Sequence, residues 1–68
     1  MKDNINEFDL RLEISDMMWE VDRLREIEQA YVDEEEYERA DVILQKQKRL
    51  IRLISNKEKK LKQYDDTL

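Results

Sequence analysis

The chain of 68 residues contains no cysteine, no histidine, no glycine and no proline. Without cysteine there can be no disulfide, and without cysteine and histidine the usual ligand sets for zinc, iron and copper cannot be assembled. The lack of glycine excludes the loops that cradle phosphate and the sharp turn of an EF-hand. Apolar stretches are short, as at Met17-Met18, Leu50-Ile51 and Leu53-Ile54, and the opening Met1-Lys2-Asp3-Asn4 leads into charged residues. The expectation is a cytoplasmic protein with neither signal peptide nor membrane span. Nucleophiles are scarce too, since Ser15, Ser55 and Thr67 are the only hydroxyls outside tyrosine. Carboxylates are abundant, but paired-carboxylate chemistry needs a concave and partly dry pocket, which two packed helices do not provide. No enzyme activity and no cofactor are expected.

What is present is charge and regular apolar spacing. Charged residues make up 46% of the chain, yet 40% is hydrophobic and recurs at helical intervals, so order rather than disorder is expected. Leu10, Ile14, Met17, Val21, Leu24 and Tyr31 follow the alternation of threes and fours that defines a coiled-coil seam, interrupted only at Glu28. A second seam runs through Tyr37, Ala40, Leu44, Gln47, Ile51, Ile54 and Leu61, with Glu58 as its charged break and Ile43 and Leu50 widening the apolar face. Two helices are predicted, over residues 5–31 and 34–64. Asn4 and Glu7 have the N-cap and N3 spacing for the first helix, and Asp33 and Glu36 have it for the second.

One continuous helix is the competing architecture, because nothing in the acidic segment 33–36 forbids it. The register argues against it. Continuing the first seam from Leu24 and Tyr31 reaches Glu38 and Gln45, whereas the second seam passes through Tyr37 and Leu44, a slip of one residue at the acidic segment. Charge points the same way: residues 1–41 hold 15 acids and 5 bases, and residues 42–68 hold 8 bases and 3 acids. Folding the chain back lays Arg52, Lys57, Lys59, Lys60 and Lys62 beside Asp3, Glu7, Asp9 and Glu13. The predicted fold is therefore all-α, a single antiparallel two-helix hairpin spanning residues 1–68 with a turn at 32–34. A core this small supplies only about 3–5 kcal/mol, which favours assembly into a helical bundle as a homodimer.

The first helix carries a second apolar face. At 100° per residue, Ile5, Phe8, Leu12 and Trp19 cluster within about 60° of one another, opposite the Leu10–Val21 seam. A hairpin can bury only one of these faces. The other is expected to be an interface, either with a second copy or with a different protein, anchored by the aromatic residues and oriented by Asp16 and Glu20. The leading expectation is thus a small adaptor, regulator or inhibitor. A purely structural coiled-coil subunit is one alternative. An acidic nucleic-acid mimic, or direct nucleic-acid contact through Lys46, Arg49, Lys57 and Lys60, is another; net charge is −5 and no aromatic interleaves with those bases, so nucleic acid is not expected.

Asp33-Glu34-Glu35-Glu36-Tyr37-Glu38-Arg39-Ala40, with the basic amphipathic run to Leu50, resembles the second half of the UVR-type helical hairpin. Tyr37, Glu38, Arg39 and Ala40 match that motif's aromatic-Glu-basic-Ala step. Asp41 stands where a second alanine is usual, and Leu44-Gln45 where an Arg-Asp pair is usual. The similarity covers residues 24–50 and implies a hairpin that contacts partner proteins.

Overall fold

The computed structural model describes residues 7–66, with side chains described as far as residue 63. Two helices, α1 (Glu7–Asp33) and α2 (Tyr37–Asp66), pack against each other, and the described residues include no strand. The molecule measures 50 × 18 × 14 Å. A single helix over residues 7–66 would be about 90 Å long, so the chain does turn. The proposed Asn4 cap and the start of the first helix at Ile5 lie outside the described residues.

The turn is built differently from the predicted capping box. The first helix continues through Asp33, whose carboxylate accepts a 2.9 Å hydrogen bond from the Gln29 side-chain amide. Glu35 adopts a left-handed conformation, φ 61°. Around it the Glu35 N–H donates to the Val32 carbonyl and the Glu36 N–H to the Tyr31 carbonyl, each at 2.9 Å. This is the Schellman pattern, which normally places glycine at the left-handed position. The Glu36 carbonyl then accepts from the Ala40 N–H at 3.0 Å, making Glu36 the residue that caps α2. Three acids crowd a helix carboxyl end that would prefer bases, but the same acids suit the amino end of α2.

A glutamate in this conformation costs roughly 1–2 kcal/mol, a strain glycine does not have. Replacing Glu35 by Gly is therefore expected to stabilise the fold by about 1 kcal/mol, raising the thermal midpoint by roughly 4–8 °C in a chain of this size. Circular-dichroism melts of the two proteins check it.

The core is a single seam. Leu10, Ile14, Val21 and Ile54 form its centre, with Met17, Leu50 and Leu61 packed against them and Leu24 and Ala40 buried along the same line. Every predicted seam position of the first helix lies on this side, Met17 and Tyr31 being half-buried. In α2, Ala40, Gln47, Ile54 and Leu61 face inward, but Tyr37 and Ile51 are exposed, and Leu44 is half-buried. Half-buried Ile43, Leu50 and Lys57 occupy the neighbouring row instead.

Charge favours the observed row. The row 43–50–57 ends in a lysine and the row 44–51–58 in a glutamate, and the adjoining surface of α1 is acidic. Lys57 lays its aliphatic stem along the seam and donates from Nζ to Glu13 Oε1 at 2.6 Å. As a partly exposed pair it adds only about 0–1 kcal/mol, a small bias toward this row.

Candidate interaction surface

The face of α1 turned away from α2 carries Phe8, Leu12 and Trp19. Phe8 and Leu12 are one turn apart, and Leu12 and Trp19 two, so the three side chains form a stripe about 16 Å long. Trp19 is 69% exposed and Phe8 66%, and Leu12 is exposed as well. No residue of α2 can reach this stripe, because Leu10, Ile14 and Val21 occupy the opposite side of the same helix. Asp16 and Glu20 are exposed along one edge of it. Ile5, the fourth member predicted for this face, lies outside the described residues.

The stripe is apolar, aromatic and acid-rimmed. It can supply buried area and shape to a helix laid along it, with the carboxylates favouring a basic flank on the incoming surface.

A second feature was not visible in the seam as predicted. Because Ile51 lies outside the core, it forms with Met18 the lips of a groove of about 430 Å³ running between the helices, floored by Val21 and Ile54. Met18 and Ile51 are each 45% exposed. The groove continues toward Ile14 and Leu61 past Ser15 and Glu58. Its signal in the sequence was the exposed methionine beside Met17, a residue the seam does not use.

Among the described residues the buried polar side chain is Gln47, which meets half-buried Glu28. Gln47, 4% exposed, donates from Nε2 to Glu28 Oε1 at 2.7 Å and lies 3.4 Å from the Leu24 carbonyl. Two of the polar positions in the seams, Gln47 and Glu28, thus answer each other. Other ion pairs among the described residues, Arg11–Glu7, Arg25–Asp22 and Arg39–Glu36, lie along single helices at the surface. Among the described residues no group of acids is gathered to hold a metal, and no helix is long and apolar enough to cross a membrane.

No protein-family model, no curated protein and no solved structure matches the chain.

Proposed function

We propose that the chain is an antiparallel helical hairpin acting as a non-enzymatic interaction module, an adaptor or regulator that docks another protein through the Phe8–Leu12–Trp19 face of α1. The hairpin direction is supported by contacts that run in opposite senses along the helices: Gln47 reaches Leu24, whereas Lys57 reaches Glu13. The observation that carries the docking role is the exposure of Trp19 and Phe8 on one stripe. Tryptophan is the residue most enriched among interface anchors, and a contiguous aromatic stripe on so small a protein marks a binding surface. The acidic edge at Asp16 and Glu20 favours a partner helix with basic residues beside its apolar stripe. The resemblance of Tyr37–Ala40 to a partner-binding hairpin supports the same class of role.

Affinity capture from the native host, read by mass spectrometry, tests this directly. The expected result is one partner enriched by the wild-type chain and weakened about tenfold or more by Phe8→Ala with Trp19→Ala, helicity being retained. Trp19 is the only tryptophan, so its fluorescence should be water-like in the free protein and shift blue as the partner is added. Capture that is unchanged by the double substitution rejects the docking face.

A further inference from the structure

The groove between Met18 and Ile51 has a self-complementary rim, and we propose that its occupant is a second copy of this chain, related by a two-fold axis parallel to the helices. This proposal does not rest on the Trp19 face, which remains uncovered in the assembly it describes.

The argument begins with levels. Lys57 meets Glu13 and Gln47 meets Leu24, so residues of α1 and α2 lie at the same height when their numbers total about 70. Two helix pairs stacked face to face can be related by two kinds of two-fold axis. An axis across the helices sets α1 on α1 and α2 on α2. An axis along the helices sets α1 on the partner's α2 and preserves height, so the register within one chain recurs between chains.

Charge chooses between them. The α1 helix carries nine acids and three bases, and α2 carries nine bases and five acids. The crosswise axis would stack acidic helix on acidic helix. The lengthwise axis sets each acidic helix on a basic one.

The same register then matches the groove residue by residue. Met18 comes level with Ile51 of the second copy, Ser15 with Ser55, and Asp22 with Lys48, which is exposed just outside the groove. Arg11, while paired with Glu7 in its own chain, comes level with Glu58 of the second copy. Met18, Ile51 and their two symmetry mates close as one apolar layer on the axis, over floors of Val21 and Ile54. The opposite face also brings an apolar pair level, Ile27 with Val42, but the Met18–Ile51 side is the one that carries the groove, with buried Val21 and Ile54 at its floor. The assembly is a four-helix bundle.

The absence of native cysteine makes the test clean. Full-length Met18→Cys and Ile51→Cys chains are each prepared alone and then mixed at about 100 μM, where a weak dimer is populated by mass action, and oxidised. The mixture is expected to form a disulfide-linked heterodimer between positions 18 and 51, several-fold faster than either variant alone links to itself. Wild-type chain should sediment as a dimer at the same concentration, and Phe8→Ala with Trp19→Ala should leave it so. Asp22→Lys and Lys48→Asp should each weaken the dimer, and their combination should restore it. A wild-type chain that is monomeric at this concentration overturns the proposal. So does faster self-linking of either single variant, or dissociation caused by the Phe8 and Trp19 substitutions.

Discussion

Replacing Ile54 by Ala is expected to remove most of the stability of the isolated chain, while the same replacement three residues earlier, at Ile51, leaves the fold nearly intact. Ile54 is buried in the cluster with Leu10, Ile14 and Val21, and truncating a buried isoleucine costs about 2–5 kcal/mol through lost transfer energy and the cavity left behind. A chain this small holds roughly 3–5 kcal/mol in total, so the substitution consumes nearly all of it. Ile51 is nearly half exposed on the lip of the groove, and its loss should cost under about 1 kcal/mol where the protein is monomeric. Urea titrations followed by circular dichroism at low protein concentration compare the two directly. Equal losses at both sites would mean that the seam passes through Ile51 after all.

That contrast shows where the sequence could be interpreted and where it could not. In the first helix every third or fourth residue from Leu10 to Tyr31 is apolar except Glu28, and the structure sets that whole line against α2. The aromatic stripe was legible for the same reason, since Phe8, Leu12 and Trp19 share a face by spacing alone. In the second helix the row through Ala40, Gln47, Ile54 and Leu61 is fixed by any register. Its neighbours are ambiguous, because 43–50–57 and 44–51–58 each offer two aliphatic residues and one charge. The contact that accompanies the observed row, Lys57 with Glu13, spans 44 residues and is invisible to periodicity.

The turn was hidden by its chemistry. A Schellman ending usually announces itself with glycine, whereas here Glu35 takes the left-handed position. Asp33 and Glu36 have the spacing of a capping box, but Asp33 is still helical and Glu36 is the cap. The acidic segment serves the amino end of α2 by charge, and its backbone serves the carboxyl end of α1 by hydrogen bonding. Only the first of these roles is written in residue type.

Gln47 and Glu28 should behave as a unit. Replacing Gln47 by Leu leaves the Glu28 carboxylate beside an apolar seam without its 2.7 Å donor, and is expected to destabilise the chain by about 1.5–3 kcal/mol despite adding apolar surface. Replacing both residues by Leu removes the buried amide and the half-buried carboxylate together and should leave the protein at least as stable as wild type. The double-mutant cycle, measured by urea unfolding, should therefore be strongly non-additive, with a coupling of about 1–3 kcal/mol. Near-additive losses would place the Glu28 side chain in solvent, contributing nothing through Gln47. Such a pair is retained against its own stability cost when it fixes alignment, as a buried polar residue does in coiled coils. In this protein the Gln47–Glu28 contact is expected to help fix the height of α2 against α1, the height at which Lys57 meets Glu13. The doubly substituted chain should accordingly be stable but free to slide by a turn, seen as multiple amide resonances for residues flanking the seam. A single set of resonances would mean that the apolar side chains alone define the register.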